Sequence, residues 1–283
     1  MMSYKQKCDI IADNLRFVRE KQAVALPLVS GQLAELASAM AQMTEMGADQ
    51  EEKRQIWRKA TRLLGEPELH IDLAKAYYDC LVQRGALGAD DAEAASPTTI
   101  CYLRNRGSDG AFDRITKDMT GVRAVYVSGH EEAMDSCYDE YSDACILPYS
   151  DPERGVHMGF RTMIARYGLK IAQMVRVENR EGTAMDYVLL RRELPTFSGE
   201  GYLSVTLPVT EPIMLAELLQ AAIRFELTAV DVTKLPEQFS AAASYDLHFA
   251  ANAENAKQYL FYLALNHPRF DLLGFYRKER ERI

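Results

Sequence analysis

Between residues 99 and 177, short β-branched apolar runs alternate with amphipathic stretches. This alternation limits the architecture more than any other feature of the chain. Thr99–Leu103, Val122–Val127, Ala144–Leu147 and Leu169–Val177 have the length and composition of buried strands. Ala111–Met119, Glu131–Tyr138 and Val156–Tyr167 carry apolar residues at helical spacing. Strands alternating with helices predict a parallel α/β sheet. Residues 104–110 then read as a polar loop. In ILPYSDPERGVH, residues 146–157, a buried strand ends at Pro148 and a helix begins near Gly155. Ligands of such sheets bind outside the carboxyl ends of the strands. Arg104–Gly110 and Ser150–Arg154 are therefore the expected ligand loops, side by side.

The flanking segments have different textures. Residues 1–90 read as helical. Ile10, Ile11, Leu15 and Val18 recur on one face, as do Leu33, Leu36, Ala37, Met40 and Met43, with Pro27 and Gly31 expected to kink or break the run. Asp49 with Glu52 resembles a capping box ahead of a helix that ends at Gly65. A third helix starts near Asp72. Residues 87–98, small and acidic, read as a linker, and a second linker falls at Pro195–Gly199. Beyond it the pattern is strand, helix, strand, strand, helix, strand, a split βαβ order. The fold class is thus α+β with several domains: a helical module at 1–90, a single-lobe α/β domain at 99–194 and a βαββαβ domain at 200–277.

A net charge of −8 argues against a general nucleic-acid or anionic-membrane surface. No run is long enough to span a bilayer and the first residues lack a signal-peptide core, so a cytoplasmic location is expected. Five scattered cysteines and five histidines show no metal spacing, and no cofactor or metal is expected. Arg54, Arg58 and Arg62 form a stripe that reads as a solvated face paired with Glu51, Glu52 and Glu66. Trp57 reads as a core or interface residue.

The three modules in this order resemble the bifunctional chorismate mutase–prephenate dehydratase with a C-terminal ACT regulatory domain. TICYLRNRGSDGAF is similar to the dehydratase's opening strand and glycine-rich loop. ILPYSDPERGVH is similar to its Val-Pro-Ile-Glu-Asn-Ser loop, with Pro148 and Gly155 in register. VLLRREL resembles the strand after its Thr-Arg-Phe motif, and FDLLGFY the closing ACT strand. The resemblance implies a cleft that grips substrate carboxylates and an ACT domain that binds an aromatic amino acid.

At the positions that would do this work the residues differ. Met185-Asp186-Tyr187 stands at the Thr-Arg-Phe position, so an anion replaces the carboxylate-holding arginine. Ser150-Asp151-Pro152 stands for Glu-Asn-Ser, and Ser108 alone keeps a hydroxyl in the first loop. Residues 22–50 contain no Lys or Arg, although a mutase needs cations there to stabilise its polarised transition state. Ile213 replaces a glycine of the ACT effector turn, within Ile213-Met214-Leu215, and Thr233 lies in the second effector stretch. No catalytic residue is assigned. Arg104, Ser108, Ser150, Asp151 and His157 are the candidate ligand contacts, with Ile213, Met214, Leu215 and Thr233 as effector contacts.

Two function classes follow, with a structural or interaction protein third. One is a non-catalytic sensor or regulatory protein of aromatic amino-acid biosynthesis, a homodimer binding a small carboxylate or an aromatic amino acid. The other is an enzyme with rearranged site residues. Asp151 is expected to cap the helix after its loop.

Overall fold

The computed structural model describes residues 6, 8–10, 26–47, 49–87, 96–151, 153–178, 183–194, 198–235 and 243–279. These fall into two compact units. One draws on the spans Met1–Asp91, Glu211–Leu227 and Glu254–Phe270, the other on Ala92–Thr210, Thr228–Ala253 and Asp271–Ile283.

The first unit is helical. It contains α1 (Leu26–Glu45), α2 (Gln50–Leu64), α3 (Pro67–Gln83), and two helices from later in the chain, α7 (Pro212–Arg224) and α8 (Ala253–Asn266). The face predicted for α1 is the buried one: Leu33, Leu36, Ala37, Met40 and Met43 are all in the core. Pro27 does not break this helix. It is the second residue, where the missing N–H would have had no partner, and Gly31 continues the helix. Ile10 is exposed, and the rest of its predicted stripe lies outside the described residues. Asp49 caps α2 by accepting from the Glu52 N–H at 2.7 Å, and Gly65 ends it in the left-handed region at φ 66°. Trp57 is buried and donates from Nε1 to Asn266 Oδ1 at 3.1 Å. Tyr77 and Tyr78 meet Phe261 edge-on, and Lys75 donates to the Arg224 carbonyl at the end of α7 at 2.6 Å.

The second unit is built on one sheet. Its strands are β1 (Thr99–Leu103), β2 (Arg123–Val127), β3 (Ala144–Asp151), β4 (Gly155–Val156), β5 (Lys170–Glu178), β6 (Ala184–Arg191), β7 (Glu200–Pro208), β8 (Thr228–Lys234), β9 (Ser244–Asn252) and β10 (Asp271–Lys278). Their order is β2-β1-β3-β6-β5-β10-β7-β9-β8, with β4 paired to β3. Helices α4 (Arg106–Ile115), α5 (His130–Tyr138) and α6 (Met158–Tyr167) belong to the same unit.

Two expectations are corrected here. The sheet is mixed, not parallel. β2, β1 and β3 run parallel, but β6 is antiparallel to both β3 and β5. β5 ends at Glu178 and β6 starts at Ala184, too short a connection for the crossover that a parallel neighbour needs. The second correction concerns residues 106–110, which form the first turns of α4 rather than a loop. Their glycines serve close packing: a Cβ on Gly107 would sit 2.0 Å from Tyr187 Oη, and one on Gly110 3.1 Å from a Val177 methyl. α4 lies against β5 and β6 because these two residues have no side chain.

β10 completes the sheet. It pairs antiparallel with β7 and, through Arg277↔Gln173 and Lys278↔Met174, parallel with β5. Strands β7, β8, β9 and β10 are thus joined to the α/β strands edge to edge through β10. Two apolar clusters flank the α/β part, one around Ile100, Ile146, Val175 and Leu189, the other around Leu147, Ile164, Val188 and Tyr276.

Candidate functional site

The first expected ligand segment closes on itself. Asn105 ends its extended backbone at α4 and accepts from the Gly107 and Ser108 N–H groups, both at 3.0 Å. Those donors are the ones an anion would use at a helix N-terminus. Ser108 is buried, and its Oγ accepts from Asn105 Nδ2 at 3.0 Å. Arg104 stands outward, its guanidinium 4.7 Å from the Tyr126 ring centre and 3.9 Å from Asp109.

The second segment is a continuation of β3. The strand runs past Pro148 to Asp151, turns, and returns as β4, with Ser150 opposite Val156. Asp151 Oδ1 accepts from the Glu153 and Arg154 N–H groups at 3.0 and 2.6 Å. Asp151 therefore caps this turn and not α6, whose cap position is His157 with no side-chain hydrogen bond. The chain needs the extra β4 residues to return, which moves the helix start beyond Asp151's reach. Its other oxygen faces His157 Nε2 at 3.4 Å, without hydrogen-bond alignment.

Register brings the second segment to the Met185-Asp186-Tyr187 stretch. Pro148 pairs with Tyr187, and Ser150 with Asp186. Since Gly107 lies under Tyr187 Oη, three of the resembling segments converge here. Asp186 is buried and holds the centre. It accepts from Ser150 Oγ at 3.1 Å, from Arg176 through both carboxylate oxygens at 2.8 and 3.2 Å, and from Lys278 Nζ at 3.1 Å. Burial pushes its carboxyl pKa up, but the Arg176 hydrogen bond and the Lys278 charge outweigh that, and the net shift is downward. Arg176 and Lys278 keep about a third of their side chains exposed, 34% and 31%.

A second polar group lies deeper. Arg161 of α6 donates from Nε and Nη2 to the two oxygens of Asp246 on β9, at 2.6 and 2.7 Å. Thr206 Oγ1 accepts from Arg161 and donates to Asp246. Both charged side chains are within 5% of full burial. On β7 and β9, Thr206 sits opposite Asp246 and Ser204 opposite His248. His248 Nδ1 is 3.3 Å from Tyr276 Oη. Burial lowers the His248 pKa, against the pull of Asp246 and Asp231, so the imidazole is held neutral. Burial, Tyr149, Tyr202 and Asp186 together raise the Tyr276 pKa well above its usual value. Tyr276 thereby stands between the Asp186 group and the Asp246 group.

The candidate residues separate accordingly. Ser150 is part of the Asp186 group, while Asp151 and His157 flank it. Ser108 and Arg104 are tied into α4. Ile213, Met214 and Leu215 form the first turn of α7 in the helical unit, with Ile213 60% exposed. Thr233, on β8 of the other unit, donates to Asp231 at 2.7 Å. Sequence reasoning passed over Arg161, Arg176, Asp246, His248 and Lys278. A signal existed in β7 and β9: Ser204 and Thr206, like Asp246 and His248, alternate with Val, Leu and Phe, which puts polar side chains together on one face of otherwise apolar strands. Among the described residues, no three His, Cys, Asp or Glu side chains are placed to hold a metal ion, and no helix is long and apolar enough to cross a membrane.

No family model and no curated protein matches the sequence. Solved structures do match. The prephenate dehydratase from Streptococcus mutans is 16% identical with a TM-score of 0.52, over 64% of this chain and 99% of that one. GqqA, described as a novel type of quorum quenching acylases, is 14% identical with a TM-score of 0.51, over 64% of this chain and 96% of that one. A prephenate dehydratase from Arthrobacter aurescens is 12% identical with a TM-score of 0.48, over 63% of this chain and 90% of that one. The chain therefore has a prephenate dehydratase-like fold, a mixed α/β architecture around a large central sheet.

Proposed function

We propose that the protein is a small-molecule-responsive, regulatory member of this fold, linked to aromatic amino-acid metabolism, that does not dehydrate prephenate. One observation carries the reading. Where the resembling family places a carboxylate-holding arginine, this chain buries Asp186 and closes it with Arg176, Lys278 and Ser150. The chain's own carboxylate takes up cations that a substrate carboxylate would need. The first segment supports the same reading, since Asn105 occupies the α4 N-terminus.

On this reading residues 1–90 are a chorismate mutase-like module without its cations. Residues 200–277 are an ACT-like module for an aromatic amino acid, and the protein works as a homodimer. Fold alone does not fix chemistry. The GqqA structure, described as an acylase, shares this fold with proteins described as dehydratases, so activity must be judged from the site.

The test is turnover. Purified protein mixed with prephenate or chorismate, with product followed by chromatography, is expected to give no conversion above the uncatalysed rate. Conversion of either at about 1–10³ per second, the ordinary range for enzymes, overturns the proposal.

A further inference from the structure

Three thiols gather under α5. Cys101 of β1, Cys145 of β3 and Cys137 of α5 are fully buried and share one apolar cluster with Ala133 and Met134. A buried cysteine is ordinarily a small apolar filler. The placement of two of these sets them apart. Cys101 and Cys145 are register partners on neighbouring parallel strands, so their side chains leave the same face of the sheet side by side. Neighbouring strands run about 4.8 Å apart, inside the roughly 4.4–6.8 Å that separates the Cα atoms of a disulfide. In its thiol form Cys101 donates to the Ala133 carbonyl at 3.1 Å, which fixes that sulfur on the α5 side.

We propose that Cys101 and Cys145 are a redox pair, joined reversibly by a disulfide when a peroxide oxidises them. The surroundings set the order of events. The Cys145 thiol lowers the Cys101 pKa to about 7 against the opposing effect of burial, and the Ser142 and Ser136 hydroxyls help. Contact with Cys101 and Cys137, together with burial, raises the Cys145 pKa well above the usual thiol value. Cys101 is therefore the nucleophile and Cys145 the thiol that resolves. The Cys101 thiolate attacks one peroxide oxygen, the O–O bond breaks, and the departing hydroxide is protonated to water. Cys101 is left as a sulfenic acid. The Cys145 sulfur then attacks the Cys101 sulfur, the S–O bond breaks, and the hydroxide leaves as water with the Cys145 proton. Two thiols have lost two electrons and two protons, and the peroxide has become two waters. The way in is the turn between α5 and β3. Ser142, the buried end of that turn, lies against Cys101. Tyr141 beside it is 80% exposed, and Glu140 holds φ 68°, a left-handed conformation that is strained for a residue with a Cβ. The bridge ties β1 to β3, the strands that lead to Asn105 and to Ser150. This inference rests on the thiols and stands apart from the Asp186 argument about prephenate turnover.

The test uses the full chain, reduced and then freed of reductant. It is exposed to excess hydrogen peroxide while folded, blocked with N-ethylmaleimide in denaturant, and mapped by mass spectrometry without reduction. A peptide pair linked through Cys101 and Cys145 is expected, and dithiothreitol is expected to restore both thiols. Cys145→Ala is expected to stop at the Cys101 sulfenic acid, trapped as a dimedone adduct. Cys137→Ala is expected to leave the bridge intact. Absence of the Cys101–Cys145 peptide from the oxidised native protein overturns the proposal. So does a bridge that forms only after the chain is unfolded in urea, since apolar packing then accounts for the thiols. A Cys137–Cys145 link in its place overturns the assignment of the pair. The wild-type map decides among these outcomes even where a variant fails to fold.

Discussion

Two arginine–carboxylate clamps cross the same sheet and differ in one respect that decides their roles. In the Asp246 clamp, both partners are buried, the contact uses both carboxylate oxygens, and Thr206 fills the remaining position. In the Asp186 clamp, only the carboxylate is buried, at 5% exposure, while Arg176 and Lys278 reach solvent. A sealed pair cannot exchange partners without unfolding its surroundings. An open pair can, because solvent already stabilises the cations when the carboxylate lets go. The first clamp is therefore a fastener between α6 and β9, and the second is the place where an anion can compete.

The sharpest way to break this comparison is to remove one side of the sealed pair. Asp246→Ala is expected to cost about 3–5 kcal/mol, because Arg161 is left charged and buried. The double variant Arg161→Met, Asp246→Leu is expected to recover most of the loss, since an apolar pair of similar volume has no charge to desolvate. Urea midpoints measure both. A loss below about 1 kcal/mol for Asp246→Ala would mean that water reaches Arg161 and that the two clamps do not differ.

The open clamp is expected to lose less. Asp186→Asn should cost about 1–3 kcal/mol, since one buried acceptor then faces two cations. The loss should shrink as salt is added, because Arg176 and Lys278 are partly exposed and screened. The substitution should also tighten binding of small anions at Arg176 and Lys278. An Asp186→Asn loss as large as that of Asp246→Ala, and insensitive to salt, would make both clamps structural.

The clamps also differ in what their surroundings titrate. Asp186 has a lowered pKa in the folded state. Its contribution is present above the ordinary carboxyl value of 3.8 and is lost as pH falls through the lower folded value. His248, beside the sealed clamp, also has a lowered folded pKa. The folded state binds its proton less readily than the unfolded chain does, so stability holds above the ordinary value of 6.5 and declines as pH drops below it. Urea midpoints taken across this range should show the His248 decline first, absent in His248→Asn, and the Asp186 decline only in acid. A His248→Asn profile that falls in parallel with the wild type between pH 6.5 and 5 would remove His248 from this account.

The reasons why one clamp was half-visible in the sequence and the other was not are physical. Local signals carried well: the α1 face, the Asp49 cap and the span of β1 follow from periodicity and capping chemistry that neighbours in sequence decide. The departure at Asp186 was legible because the segment resembles a known motif, yet its charge reads there only as repulsion. That it is neutralised depends on Arg176 across a strand pair and Lys278 92 residues away. Arg161 and Asp246 are 85 residues apart, and each looks alone like a surface charge. The parallel sheet was misread for a related reason. The sequence before β6 contains Asn179 and Gly182, a hairpin signal that the strand–helix alternation upstream overshadowed, and pairing direction is a tertiary property. Residues 106–110 were misread because glycine usually marks a loop, whereas Gly107 and Gly110 are there for close approach to Tyr187 and Val177.

The smallest effect tests the turn that presents the open clamp. Asp151 does two things at once: Oδ1 accepts two backbone N–H bonds that close the turn, and Oδ2 faces His157 at 3.4 Å. Asp151→Ala removes both and is expected to cost about 0.5–2 kcal/mol, as capping losses do. Asp151→Asn keeps an oxygen acceptor for the turn but removes the negative charge. If the turn is the main role, Asn should retain most of the stability, and the difference between Asn and Ala measures the two backbone bonds. If the pairing with His157 matters more, Asn should fall close to Ala. A stability unchanged or raised in Asp151→Ala would remove the structural role altogether. Asp151 would then be a residue kept for a ligand, since groups held for binding are commonly stabilised by their removal.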